Sequence, residues 1–358
     1  MFSGIEGYIY KDMEGAIIVR MKFTKRNIIY LIIVIIIAYF LASYQLPYYI
    51  QRPGGADALN PIVEVESGFT SGGDMHLVTV SGLQATPVQY AIAKIFPHNE
   101  IMPIEDVFPH GITQNEYMEA QLQVMESSQE AATVVAYTAA DADITIDYNG
   151  VYVVSVVEEM PADGKLQTGD RIITIDGVTI DDANDLIRFV ESKQANDTIT
   201  LEIIRDDETL MKDITLEVFD DLEGKVGIGI SLVTDRSVQV SPEVEFSSGN
   251  IGGPSAGLMF SLEIYDQLTE EDLTKGYEIA GTGEIDYDGN VHRIGGIDKK
   301  IVAADREGID IFFAPNEDGR EDSNYQVAKQ TAEEIGTEME VVPVDTFYDA
   351  LEYLENLK

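Results

Sequence analysis

Ser255 stands in the run Gly252-Gly253-Pro254-Ser255-Ala256-Gly257, between small residues and ahead of a long apolar stretch. Such a setting suits a serine nucleophile, which needs an unobstructed approach for substrate and a nearby group to take its proton. The chain holds no cysteine and four histidines, His76, His98, His110 and His292. A thiolate nucleophile, a disulfide framework and a Cys-based zinc site are therefore excluded. The histidines are too dispersed to argue a zinc site, and no H-E-x-x-H occurs. DYDGN (Asp286–Asn290) and NEDGRED (Asn316–Asp322) lack the spacing of an EF-hand loop and read as turns. No metal and no cofactor are expected.

GPSAG also satisfies the G-x-S-x-G nucleophile elbow, which in an α/β-hydrolase requires an acid and then a histidine downstream. Only His292 follows, 37 positions on in a turn-rich stretch, which leaves too little chain for the acid-bearing elements. A lysine can serve instead when burial makes its ammonium costly and lowers its pKa toward neutrality. In RIGGIDKKIVAADREG (Arg293–Gly308), a helix from Ile297 puts Ile297, Ile301 and Ala304 on one stripe. Lys300 falls beside that stripe, whereas Lys299 projects away near Arg306 and is expected in solvent. Geometry alone leaves Lys300 either a desolvated base or a lysine that snorkels from an apolar face.

The elements that must hold these residues begin with Ile28–Leu46, almost wholly apolar and without charge. As a helix it would span roughly 28 Å, close to the ~30 Å hydrocarbon core. Lys22, Lys25 and Arg26 precede it, and Tyr44, Tyr48 and Tyr49 follow as an interfacial belt. This predicts a retained anchor rather than a cleaved signal peptide, with the N-terminus cytoplasmic and the remainder outside the cytoplasm. Residues 1–20 fit nothing downstream and are expected to be an over-extended start ahead of Met21, which opens MKFTKR; the alternative is a short cytoplasmic N-terminus over 1–27.

QRPGGADALNP (Gln51–Pro61) reads as a linker from its Pro, Gly and Asn content. His76–Val80 is strand-like, and Glu116–Ala140 has helical spacing without Gly or Pro. Ile144–Phe219 has short β runs divided by Gly and Asp turns. After Gly224 strands and helices alternate, ending in a helix over Thr346–Leu357. The 358 residues carry a formal charge of −41, which repels nucleic acid. Neither Gly164-Lys165-Leu166 nor Gly224-Lys225-Val226 has Ser or Thr after the lysine, so no nucleotide-binding P-loop is present.

Asn149–Val156 (NGVYVVSV) and Met160–Ile180 (MPADGKLQTGDRIITIDGVTI) resemble a PDZ domain, with Asp182–Ser192 as the helix beside its groove. The resemblance places the carboxylate-binding loop at Gly150, Val151, Tyr152 and Val153, where a peptide end would add as a β-strand. Most of the other exterior sequence resembles the Lon-type Ser–Lys peptidases. GPSAG matches their nucleophile motif, Thr282–Lys300 (TGEIDYDGNVHRIGGIDKK) their strand, hairpin and helix start, and Val124–Val135 their first helix. The resemblance implies Ser255 as nucleophile, Lys300 as base, Thr282 as the hydroxyl holding that lysine, and ring assembly of copies. Where many such enzymes carry an acid, this chain has Gly252. The N–H groups of Gly252, Gly253 and Ser255 are the expected oxyanion donors.

The expected architecture is α+β: a Lon-type proteolytic domain over 51–143 and 220–358, interrupted by a PDZ domain over 144–219 and preceded by one transmembrane helix at 28–46. Together these match membrane-anchored, PDZ-containing Lon-like bacterial proteases. The implied function is ATP-independent hydrolysis of flexible or unfolded protein, with protein or peptide substrates and no nucleotide. The competing class is a tethered PDZ adaptor with an inactive peptidase fold. A tail-specific protease also joins PDZ to Ser–Lys, but its motif surroundings differ.

Overall fold

The computed structural model describes residues 7–11, 17–21, 25–108, 114–219 and 225–357. Strands β1 (Gly7–Lys11) and β2 (Ile17–Met21) pair antiparallel, taking in part of the first twenty residues. The rest of that segment, with Lys22 and His110, lies outside the described residues. Helix α1 (Lys25–Ser43) follows, starting and ending three residues before the expected span. None of its residues is buried, and it is the one helix among the described residues long and apolar enough to cross a membrane.

The next section supplies β3 (Tyr48–Ala58), β4 (Val63–Val65), β5 (Met75–Gln84), α2 (Pro87–Ala93), β6 (Glu100–Pro103), α3 (Ile104–Val107) and α4 (Gln114–Ala139). The expected linker at Gln51–Pro61 is not one, since most of it lies in β3, paired with β5 on one side and β6 on the other. Pro53, Gly54 and Gly55 form a bulge there, where the register shifts between Pro53 and Ala56. A Cβ on Gly54 would meet Thr79 Oγ1 at 2.4 Å, so glycine permits the close approach of the two backbones. Thr86 opens α2 with a capping box to Gln89 and a proline in the first turn.

A second sheet contains β7 (Asp143–Val156), β8 (Arg171–Ile175), β9 (Val178–Thr179), β10 (Thr198–Arg205), β11 (Glu208–Thr215) and β14 (Ile230–Ser241). Helix α5 (Ala183–Glu191) packs beside it, capped by Asp182, and β12 (Glu217–Phe219) pairs with β13 (Lys225–Gly227). The strand order is β11-β10-β8-β7-β14, so pairing runs past the boundary expected at Phe219. Val151, Ile172, Ile175, Leu186, Ile199 and Leu201 give this unit a core of its own. Asp170, fully buried, takes two hydrogen bonds of 2.6 Å from Arg205, which satisfies a carboxylate that would otherwise be costly to bury.

The chain then returns through β15 (Val244–Phe246), α6 (Gly257–Leu268), β16 (Ile279–Gly281), β17 (Glu284–Ile285), β18 (Val291–His292), α7 (Ile297–Glu307), β19 (Ile311–Pro315), α8 (Asn324–Ile335), β20 (Glu340–Val344) and α9 (Phe347–Glu355). The first sheet has the order β20-β19-β16-β5-β3-β6, parallel from β20 to β5 and antiparallel beyond. Helix α6 is buried on nearly every side because it packs against α4, the sheet and α9, so that even its polar residues Glu263, Asp266 and Gln267 are buried. Leu258, Met259, Phe260, Leu262 and Ile264 are fully buried there, each contributing about 1.5–3 kcal/mol.

Candidate active site

Ser255 sits on the turn just before α6, whose N-cap is Ala256. Lys300 lies on α7, which starts after Gly296 in the left-handed region at φ 70°. Thr282 follows β16, and its N–H is held by the Phe313 carbonyl of the neighbouring strand. Three elements distant in sequence thus meet at one point. Lys300 Nζ lies 2.7 Å from Ser255 Oγ and 2.9 Å from Thr282 Oγ1. The Thr282 hydroxyl donates to the Ser255 carbonyl at 2.9 Å, and the Gly283 N–H reaches the same oxygen at 2.9 Å.

Thr282 is wholly buried and Lys300 is 3 % exposed. Burial alone pushes the Lys300 ammonium down to about 7, so the amine is substantially neutral at physiological pH. Lys299 departs from expectation: it is also buried, not in solvent. Its Nζ bonds Glu100 at 2.8 Å and Asp298 at 3.2 Å, so it stays paired, whereas Lys300 has no carboxylate partner among the described residues.

A cleft of about 670 Å³ opens on Ser255. One wall is the β3–β5 sheet at Tyr49, Thr79, Val80 and Gly82; the facing wall is α4 at Tyr117, Met118, Gln121 and Met125. Pattern reading missed these residues because only the tertiary fold brings α4 over the serine. The loop Gly252–Pro254 lines the same cleft, but Gly253 is not placed as expected. Its N–H donates to the Gln121 carbonyl at 2.9 Å, with φ 93°, and so is not free to meet an oxyanion.

The Gly150–Val153 assignment also needs correction. These residues lie within β7, which pairs with β14 along one edge, at Thr234↔Val151, and with β8 along the other, at Val151↔Ile172. The Val153 N–H is further taken by the Asp170 carbonyl at 2.8 Å. An added strand has no edge to join there. The strands beside α5 are β13 and β14, and β14, which follows the segment Gly227-Ile228-Gly229, is outermost in its sheet among the described residues.

Asp74, His76 and Glu278 bring ligand atoms within 4.8 Å of one another, a grouping not visible in sequence because it joins the starts of β5 and β16. His76 Nε2 is already bonded to Glu278 at 2.7 Å, and Asp74 is bonded by Asn60. In DYDGN, Asp286 takes the N–H groups of Asp288 and Asn290 and forms a hairpin turn between β17 and β18.

Residues 226–355 match the Lon protease (S16) C-terminal proteolytic domain, and residues 121–216 match the PDZ domain. A Lon protease of Campylobacter jejuni is 32% identical over 142 residues, covering 37% of this chain and 16% of that one. The peroxisomal Lon protease homolog 2 of Caenorhabditis elegans is 31% identical over 124 residues, covering 35% and 15%. The chain thus spans well under a fifth of the length of these curated relatives. The PDZ domain of an SdrC-like protein from Listeria monocytogenes is 37% identical over 25% of this chain and 93% of that one, with a TM-score of 0.24. A solution structure from Geobacillus thermodenitrificans is 38% identical over 23% and 94%, with a TM-score of 0.22. The chain is a mixed helix–strand protein that is similar to PDZ domains over one part of its length and to the Lon protease (S16) proteolytic domain over another. It joins a PDZ domain to a Lon-type (S16) proteolytic domain behind one apolar helix.

Proposed function

We propose that this chain is a membrane-anchored serine endopeptidase that cleaves flexible or unfolded polypeptide without ATP, using Ser255 as nucleophile and Lys300 as base. The observation that carries the reading is the 2.7 Å contact between Lys300 Nζ and Ser255 Oγ, with the lysine buried and without a carboxylate partner among the described residues. The Thr282 hydroxyl hydrogen is spent on the Ser255 carbonyl, so Thr282 Oγ1 accepts from the amine. A neutral amine donating to Thr282 can turn its lone pair to the serine hydroxyl.

Neutral Lys300 takes the Ser255 proton as Oγ bonds to the peptide carbonyl carbon. The resulting lysinium then protonates the leaving amine as the C–N bond breaks, and water, activated by the same amine, hydrolyses the acyl-enzyme. The Ser255 and Gly252 N–H groups meet the oxyanion, a type of donor worth about 2.7–4 kcal/mol each.

In this reading α1 spans the membrane, its basic N-terminal side is cytoplasmic, and the peptidase works on the opposite face. The PDZ unit captures polypeptide by adding it to the outer edge of β14, beside α5, with the Gly227–Gly229 turn receiving a terminal carboxylate. Ring assembly belongs to the same reading and is checked by the mass of the full chain in detergent.

The test compares casein hydrolysis by the full chain, without nucleotide, with that by Ser255→Ala and Lys300→Ala. Loss in both variants is expected; equal cleavage by all three forms sinks the enzyme reading. Ile187→Glu, on the exposed side of α5, should weaken capture of a free-ended peptide yet leave cleavage of a short chromogenic peptide unchanged.

A further inference from the structure

We propose that α2 and the turn after it form a second, peripheral contact with the lipid bilayer, beside the exit of α1. The proposal rests on α1 spanning the membrane. Three residues past the end of α1, the Leu46 N–H bonds the Ala85 carbonyl at 2.8 Å, and the Ala85 N–H bonds the Tyr48 carbonyl at 2.8 Å. Thr86, the next residue, caps α2. The two helices also touch. Helix α2 therefore starts where the chain leaves the bilayer.

The inner face of α2 is satisfied: Tyr90 and Ala93 pack with Ile50, Ala85 and Ile101. The outer face is bare. Val88 and Ile92, at i and i+4, are 41% and 47% exposed, and the turn that follows leaves Ile95 76% and Phe96 60% exposed. Lone exposed apolar residues are ordinary, but a set of four interrupted only by Gln89 and Lys94 marks a surface that water does not cover in the working state. Helices laid in the bilayer interface bury such a face about 5–10 Å deep.

Charge gives an independent observation. No Asp or Glu occurs from Asn27 to Ala56 or from Met75 to Asn99, in a chain that contains 64. Pairing of β3 with β5 joins these two acid-free stretches in space, at the α1 exit. Acids are costly to bring against lipid, and anionic headgroups repel them. Among these residues, Lys94 lies over the Tyr90 ring at 4.8 Å, a cation and an aromatic suited to the headgroup level. Acids return at Glu100, which pairs with Lys299, and on α3.

This contact would fix the height of the cleft. Val80, which lines it, is five residues from Ala85, at most about 17 Å of extended strand. Polypeptide emerging from the bilayer is then within reach after only a few residues.

The chain has no tryptophan, so Phe96→Trp, Phe40→Trp and Tyr348→Trp each create a sole reporter, in the turn, in α1 and on the exposed side of α9. The full chain is reconstituted in phosphatidylcholine vesicles with plain or brominated acyl chains, and its folding is checked by circular dichroism. The expected result is that bromine quenches emission at positions 40 and 96 and spares 348. Quenching at 40 alone overturns the proposal and leaves α1 as a span. No quenching at 40 or 96 removes both readings. Blue-shifted emission at 96 that ignores bromine means that protein, such as another copy, covers the patch, and equal quenching at all three means unspecific adsorption; either result overturns it.

Discussion

The guanidinium carbon of Arg236 lies 3.4 Å from the centroid of the Tyr287 ring. Arg236 is on β14, in the PDZ-bearing sheet, and Tyr287 is in the hairpin turn after β17 of the peptidase part. The Tyr287 hydroxyl donates to Glu130 of α4 at 2.7 Å, and Arg236 lies 3.6 Å from the same carboxylate. Arg236→Lys keeps the charge but loses the planar stack. Both Arg236→Lys and Arg236→Ala should destabilise the junction, by about 0.5–2 kcal/mol. Faster limited proteolysis between residues 216 and 230 is the readout; unchanged protection would show that the stack does not hold the two parts together.

Because burial pushes Lys300 down to about 7, its neutral form fills in as pH rises through that value. We expect kcat/KM for a short peptide to rise with pH, with a midpoint near 7, and then level off. A folded pKa below the unfolded one also means that the unfolded chain binds more protons between about 7 and the ordinary lysine range, so stability climbs with pH across that window. Lys300→Met should then be inactive yet more stable at pH 7, by on the order of a few kcal/mol, with the gain shrinking toward alkaline pH. An activity midpoint near 10 contradicts the assignment.

Glu263 lies in the middle of α6, 2% exposed, and burial pushes its carboxyl up to about 7. Gln267 donates to its Oε1 at 2.7 Å. With the folded pKa above the unfolded one, its contribution is fully present at low pH and is lost as pH rises through about 7. Glu263→Gln keeps the acceptor and removes the charge. The variant should gain roughly 2–3 kcal/mol above pH 7 and little at pH 4, read as denaturant midpoints. An equal effect at both values would mean that the carboxyl does not titrate in this range.

Gly257 opens α6 where it meets α4 and β17. A Cβ there would come within 2.7 Å of Ser128 Oγ and 2.8 Å of Ile285 Cγ2. Gly257→Ala must push the start of the helix outward, at a cost of about 1–3 kcal/mol. Ser255, two residues earlier, moves with it, so kcat should fall more than KM changes. An unchanged kcat would show that the helix start can shift without carrying the serine.

Local signals were readable where the chemistry is local. The small residues around Ser255 and the wheel position of Lys300 beside Ile297 and Ile301 come from neighbours a turn or less away. Lys299 was misplaced because its partner, Glu100, comes from β6, far off in sequence. Pro53, Gly54 and Gly55 carry the composition of a linker, and only the approach of Thr79 turns them into a strand bulge. Gly150–Val153 matched a groove by motif, but the motif does not reveal that β14 returns to cover that edge. The Gly253–Gln121 bond was likewise invisible, being a contact between backbones on unconnected elements.

Strand β14 is shared property. Its first half lies beside α5, while Val240 near its end packs on the peptidase core, as does Ile144 at the start of β7. The PDZ unit is thus not a removable cassette: cutting it out at Phe219 would delete β7 and strip the partner from a twelve-residue strand. A bare strand of that length invites sticking between molecules. Anyone trimming this protein to a minimal hydrolase has to cut the ribbon on both legs at the same rung, between Asp143 and Ser241.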